Sequence, residues 1–333
     1  MSTSTTQSQS QSQSRPVRLL AAGGTISMQG ERAVPRLDAA QLVEAVPELR
    51  AFSELTAETV LGLPGPQIAL GQALELARRA AAAAAGGDGV VITTGTDTLE
   101  EIAMLCAFLH DAEPPIVLTG ANRPASAAGA DGPANLLDAV TLAAAAPAAG
   151  LGAVVVFGGE IHAATTVRKT DSTGPVAFTS PVAGPFGRIV DGRVWLHARP
   201  PAPPHITPAT LDRRVPIITA VLGDDGALLR AAADSSDGLV VVAFGAGHLT
   251  PGMLHALQTA VTRIPVVITV RPERGSMMHA TYGFEGSERD LRDSGAVCVP
   301  FLSAAAARMA LLCCLGAGLD RDGIAAALAP YDA

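Results

Sequence analysis

Apolar runs and helix-forming stretches alternate along the chain from Val17 to about Val194, and this alternation predicts the architecture. Val17–Ala22, Glu58–Leu63, Gly89–Thr94, Ile116–Thr119 and Ala153–Phe157 read as strands. Ala39–Val46, Gly71–Ala85, Thr98–Leu109 and Gly132–Ala146 read as the helices between them. Strands this uniformly apolar are covered on both faces, so the spacing predicts a doubly wound, mostly parallel α/β sheet. Near its end, Ile189–Val190 and Val194–Leu196 flank Asp191-Gly192, a pair that supplies the positive φ of a hairpin turn.

The alternation then stops. Arg199-Pro200-Pro201-Ala202-Pro203-Pro204, with Pro208 and Pro216 beyond, cannot enter a sheet interior and marks a boundary. After it a smaller Rossmann-like α/β unit is expected. Its strands are Ile217–Leu222, Gly238–Ala243 and Val266–Val270, and its helices lie near Gly226–Ala233, from Pro251, at Ala304–Leu315 and at Gly323–Leu328. The division is therefore a tail over 1–14, a larger domain over 15–198, a linker over 199–216 and a smaller domain over 217–333. The tail is Ser, Thr and Gln without an apolar core, which reads as disorder and not as a secretory signal.

Composition narrows the class further. Residues that are 48% hydrophobic supply ample cores, yet no apolar run approaches the roughly 20 residues of a membrane span. A net charge of −8, spread along the chain, argues against nucleic acid as a partner. Cys106, Cys298, Cys313 and Cys314 sit in apolar surroundings with no C-x-x-C pair, so buried reduced thiols in a cytoplasmic protein are expected.

Candidate chemistry lies where strands end. Leu19-Leu20-Ala21-Ala22-Gly23-Gly24-Thr25 runs a strand into glycines that let the backbone approach a ligand, then presents a hydroxyl. The same pattern fits a phosphate cradle or a plain tight turn. Thr94-Gly95-Thr96-Asp97-Thr98 sets a hydroxyl beside a carboxylate at a helix start. An N-cap at Asp97 or Thr98, with Glu100 and Glu101 favoured by the helix dipole, accounts for part of it but does not require the Thr96-Asp97 pair. Threonine attacks only when a neighbour takes its proton. Lys169, in Thr165-Thr166-Val167-Arg168-Lys169-Thr170, is such a neighbour if desolvated, and otherwise a solvated loop lysine.

Taken in order, these motifs resemble the bacterial L-asparaginase/glutaminase family of threonine amidohydrolases. The likeness continues through Leu118-Thr119-Gly120-Ala121-Asn122-Arg123-Pro124, Ala130-Asp131-Gly132-Pro133-Ala134-Asn135, Phe186-Gly187, Asp191-Gly192 and Tyr282-Gly283-Phe284, and so covers nearly everything after the tail. The resemblance implies hydrolysis of the side-chain amide of L-asparagine to aspartate and ammonia through a covalent acyl-enzyme, without metal or organic cofactor, in a homo-oligomer (dimer or tetramer). Carried over by motif, Thr25 is the nucleophile, and Thr96, Asp97 and Lys169 form a second catalytic group that positions or deprotonates water. Gln67, Ala121 and Asp97 are the implied substrate-binding residues.

Some positions depart from the family pattern. The loop tyrosine after the first threonine is absent, and by spacing Arg32 falls near its place, a permanent cation able to bind a carboxylate or an oxyanion but not to act as a base. In Gly62-Leu63-Pro64-Gly65-Pro66-Gln67, Pro66 stands where the family offers serine and brings neither hydroxyl nor N–H. A lost charge-assisted hydrogen bond costs on the order of 1.5–3 kcal/mol. Before Tyr282 no acid stands where a neighbouring subunit would lend one; Glu273, Glu285 and Glu288 are the nearby candidates, and His248 lies in a turn that could approach the site. Two alternatives to asparaginase follow: an amidase for a different asparagine-like or secondary-metabolite amide, and a weakly catalytic small-molecule binding homologue.

Overall fold

The computed structural model describes residues 15–30, 32 and 34–332, so the tail predicted over 1–14 lies outside the described residues. The first part of the chain forms β1 (Val17–Gly23), β2 (Met28–Gln29), β3 (Val34–Pro35), α1 (Ala39–Glu44), β4 (Leu55–Leu63), α2 (Leu70–Ala85), β5 (Gly89–Thr93) and α3 (Leu99–Leu109). It continues through β6 (Ile116–Thr119), α4 (Gly132–Ala144), β7 (Ala153–Phe157), β8 (Glu160–Ala163), β9 (Arg168–Lys169), β10 (Phe178–Thr179), β11 (Gly187–Val190) and β12 (Arg193–Leu196). The remainder is β13 (Ile217–Thr219), α5 (Ala227–Ala233), β14 (Leu239–Ala243), α6 (Pro251–Ala260), β15 (Val266–Val270), α7 (Glu288–Asp293), β16 (Val297–Cys298), α8 (Ala304–Gly316) and α9 (Arg321–Leu328).

An eight-stranded sheet in the order β12-β11-β8-β7-β6-β5-β1-β4 carries the larger unit. From β4 to β7 all neighbours are parallel, and from β7 to β12 all are antiparallel. Alternate residues of each central strand feed opposite cores. Leu20, Ile92, Leu118 and Val155 pack on the α2–α3 side, while Leu19, Val91, Val117 and Val154 pack on the α1–α4 side. That is the physical basis of the uninterrupted apolar runs, and it gives the doubly wound arrangement expected. The smaller unit is a four-stranded parallel sheet, β13-β14-β15-β16.

Several elements differ from the expectation. β4 begins at Leu55, before the apolar run at Glu58, because it is the sheet edge and its early residues are exposed to solvent. β13 ends at Thr219, and the apolar Leu222 beyond it is 99% exposed. α4 stops at Ala144, where Ala145 turns to an extended conformation just before Pro147. Strands β8, β9 and β10, with α7 and β16, are too short to leave a periodic signal. At the expected hairpin, Asp191 and Gly192 have φ of 50° and 69°.

The proline-rich stretch is neither helix nor strand but is strapped down. Ile206 N–H donates to the Phe108 carbonyl at 2.9 Å, Arg78 donates to the Pro208 carbonyl at 2.8 Å, and Ile206, Leu211 and Val215 enter the core shared by α2, α3, α8 and α9.

Candidate active site

The site forms at the carboxyl edge of the large sheet, where a parallel α/β fold leaves its crevice. The turns after β1, β4 and β5 meet there through glycines. A Cβ on Gly24, whose φ is 81°, would lie 2.3 Å from the Gly95 nitrogen, and one on Gly95 would lie 2.7 Å from the Gly65 nitrogen. Only glycine permits so close an approach. Thr25 and Thr96 each follow one of these contact residues, so the two threonine motifs are brought side by side. Thr25 opens a short 3₁₀ turn (Thr25–Ser27), half-buried, and Gly24 N–H is tied to the β4 carbonyl of Leu63 at 3.0 Å.

Thr96, Asp97 and Lys169, from stretches more than 70 residues apart, form one cluster. The Lys169 ammonium donates to Thr96 Oγ1 at 2.8 Å and to Asp97 Oδ1 at 2.6 Å. Thr96 is buried, Lys169 is 18% exposed and Asp97 is 61% exposed, so the ion pair opens toward solvent on one side only. With Lys169 as donor, the Thr96 hydroxyl keeps its own proton for a further partner.

The lysine is fixed from behind. Glu100 Oε2 accepts the Lys169 N–H at 2.7 Å, and Glu100 Oε1 accepts the Ser303 hydroxyl at 3.3 Å from the start of α8. Burial raises the Glu100 pKa, and the two hydrogen bonds oppose that rise. The loop after Lys169 is held too. Asp171 accepts N–H bonds from Thr173 and Gly174, and Asn122 Nδ2 donates to the Gly174 carbonyl at 2.7 Å. Asp131 accepts from the amides of Asn122 and Arg123, and Asn135 bridges the Gly120 carbonyl and the Gly158 N–H.

The remaining candidates are placed as follows. Ala121 is buried beside Gly132 in the turn after β6. Gln67 is exposed in the Gly65–Gln67 turn, with its N–H held by the Pro64 carbonyl at 2.9 Å. Arg32 is exposed in the turn between β2 and β3. Thr98 stands at the N-cap of α3, but its hydroxyl makes no cap bond and lies buried against Gly65. Of the acids near Tyr282, Glu288 is buried and accepts N–H bonds from Thr281 and Tyr282, and its Oε2 faces His248 Nε2 at 3.6 Å. Glu285 faces His255 at 3.1 Å. Sequence reasoning passed over Glu100 and Ser303 as ligands of the lysine segment. An acid in a first turn is already explained by the dipole, and nothing in the sequence pairs positions about 200 residues apart.

With this geometry in place, comparison with known proteins decides the family. The asparaginase N-terminal family model matches residues 16–202, and the glutaminase/asparaginase C-terminal domain matches residues 214–328. The chain belongs to the asparaginase family. It is 38% identical over 314 residues to a probable L-asparaginase of Deinococcus radiodurans, covering 92% of this chain and 94% of that protein. It is 31% identical over 292 residues to L-asparaginase 2 of Escherichia coli, covering 81% and 84%. Among solved structures, the probable cytoplasmic L-asparaginase of Campylobacter jejuni superposes with a TM-score of 0.84 at 29% identity, over 94% of this chain and 99% of that one. The protein is accordingly an asparaginase-type amidohydrolase with the two-unit α/β fold of its relatives.

Proposed function

We propose that this amidohydrolase hydrolyses the side-chain amide of L-asparagine through Thr25 as nucleophile. Thr25 Oγ adds to the amide carbonyl carbon, its proton passes to the departing nitrogen, and ammonia leaves behind an ester on Thr25. Water then adds to that ester and returns the Thr25 hydroxyl and a free carboxylate. Main-chain N–H groups of the two threonine turns are suited to the developing oxyanion. The single observation that carries this reading is the Lys169–Thr96–Asp97 cluster, with contacts of 2.8 and 2.6 Å, next to the Gly24–Gly95 contact. In it an ammonium fixes Thr96 while the Thr96 proton stays available to a water or to the amide. Asp97, exposed on its other side, is the group proposed to receive a substrate ammonium. Arg32, from the neighbouring loop, is a candidate for a substrate carboxylate.

A second observation favours a wider set of amides. Pro66 supplies no donor, and the Gln67 N–H is occupied by Pro64, so an α-carboxylate finds fewer donors at this turn. A cytoplasmic setting suits the buried free thiols Cys106, Cys298, Cys313 and Cys314. Assembly into dimers or tetramers belongs to the same proposal.

The test is ammonia release from L- and D-asparagine, L-glutamine and β-substituted amides, run beside Thr25→Ala and Lys169→Met. Thr25→Ala is expected to abolish turnover, and Lys169→Met to lower kcat by roughly 10²- to 10⁴-fold. Turnover by Thr25→Ala at the wild-type rate would remove Thr25 from the mechanism. Preference for a larger amide over L-asparagine would transfer the same chemistry to another substrate.

A further inference from the structure

A cleft of about 350 Å³, bordered by the residues that lead to Lys169, is not used by the amidase reading. Thr165 and Thr166, in the connection between β8 and β9, form part of its wall, the Pro200–Pro203 run forms another, and Phe301 and Tyr331 belong to the C-terminal unit. Most of the lining is proline, alanine and aromatic carbon. Its charged or ionisable side chains are Arg199, His197 and the buried Tyr331, and no carboxylate lines it. Arg199 is held by the carbonyls of Ala149 and Pro147 at 2.8 and 3.0 Å, and it makes no ion pair among the described residues. The Tyr331 hydroxyl is buried without a hydrogen-bond partner. An apolar wall with a fixed arginine that pairs with no acid among the described residues suits a ligand that has an apolar body and one negative charge.

Two parts of this wall lead to Lys169. Thr166 donates to Ser180 at 3.2 Å, Ser180 meets the buried His162 at 3.1 Å, and three residues beyond Thr166 the chain reaches Lys169. Phe301 lies two residues before Ser303, which donates to the carboxylate that accepts the Lys169 N–H. Both segments of the wall thus connect, through the chain or through hydrogen bonds, to groups that hold the lysine segment.

We propose that this cleft is an effector site for an apolar monocarboxylate, aryl or branched aliphatic, whose occupancy is felt at Lys169. The binding stands alone, while its effect on turnover rests on the amidase reading. The experiment titrates the full chain calorimetrically with 2-naphthoate, phenylacetate and 4-methylpentanoate, and with neutral 2-phenylethanol as the uncharged counterpart. Arg199→Met is expected to weaken carboxylate binding by about tenfold or more, the loss of a charge-assisted contact. Ala202→Trp, at an exposed loop position, fills the cleft and is expected to abolish binding, with circular dichroism reporting its fold. In wild type, but not in Ala202→Trp, a saturating carboxylate is expected to change kcat for ammonia release by about twofold or more. The site is overturned if wild type binds no carboxylate, if 2-phenylethanol binds as tightly, or if Ala202→Trp, or Arg199→Met, binds like wild type. Binding in the cleft with kcat unchanged overturns the effector role. A protein that turns over no amide refutes the amidase reading, while the calorimetry still decides the site.

Discussion

A carboxylate in the first turn of a helix is stabilised by the helix dipole wherever its side chain points, yet Glu100 points at the backbone of Lys169. Its two oxygens are both used, one by the Lys169 N–H and one by the Ser303 hydroxyl. Fixing the peptide of Lys169 fixes the stem from which the ammonium reaches Thr96 and Asp97. Glutamine retains an oxygen for the Lys169 N–H and an amide group for Ser303, whereas alanine retains neither. Glu100→Ala is therefore expected to lower kcat by about 10-fold or more with KM little changed, and Glu100→Gln to restore most of it. Wild-type kcat in the alanine variant would show that the lysine needs no such anchor. Burial holds the Glu100 carboxyl above its ordinary value, so the folded chain binds that proton more readily than the unfolded chain. Its contribution to stability is accordingly lost as pH rises through the carboxylate range, and it is restored on acidification. Urea unfolding should therefore show the stability of Glu100→Gln gaining on wild type as pH rises above about 4.

At the scale of elements, the site depends on three turns that touch through backbone alone, and the glycines in them differ from glycines elsewhere. Gly24 combines a φ of 81° with a Cβ position 2.3 Å from the Gly95 nitrogen, so a methyl group there must displace main chain that carries both Thr25 and Thr96. Gly71, inside α2, has nothing within 4 Å of its Cβ position. Gly24→Ala is expected to cost at least about 2 kcal/mol in urea unfolding and to remove most ammonia release. Gly71→Ala should gain up to about 1 kcal/mol with activity unchanged. An active, stable Gly24→Ala protein would contradict the tight junction of the turns. The difference between these two glycines cannot be read from sequence, although the strands that lead to them can. Val90-Val91-Ile92 and Ile116-Val117-Leu118 reveal themselves because both faces of a central strand are buried. β4 loses that signal over its first residues because one edge faces water. Thr96, Asp97 and Lys169 were legible as motifs, since an unusual hydroxyl–carboxylate pair and a lysine among hydroxyls each carry chemistry of their own. Their supporting groups were not, because Glu100, Ser303 and Asp131 are ordinary residues at helix starts until a distant segment is placed against them.

The whole molecule is joined by one apolar core that runs across both units. Residues of α2 and α3, among them Leu76, Met104 and Phe108, share a cluster with Met309 and Leu312 of α8 and with Leu328 of α9. Polar contacts cross at the same place, with Ser303 meeting Glu100 and Arg308 facing Glu101 at 3.4 Å. The linker adds Ile206 and Leu211 to this core and does not stand free of it. A smaller unit that completes its core on the larger one has no reason to unfold separately. Truncating the fully buried Leu312 to alanine is expected to cost about 2–5 kcal/mol. The loss should appear in both units together. Trp195 on β12, the one tryptophan of the chain, reports on the large sheet by fluorescence, while far-ultraviolet circular dichroism follows both. In wild type and in Leu312→Ala the two urea transitions should coincide, and the variant should shift both by the same amount. Ammonia release should disappear over the same range, because α8 carries the serine that anchors Glu100. A fluorescence transition left in place while the dichroism transition splits would mean that the C-terminal unit folds by itself, and that Lys169 owes nothing to it.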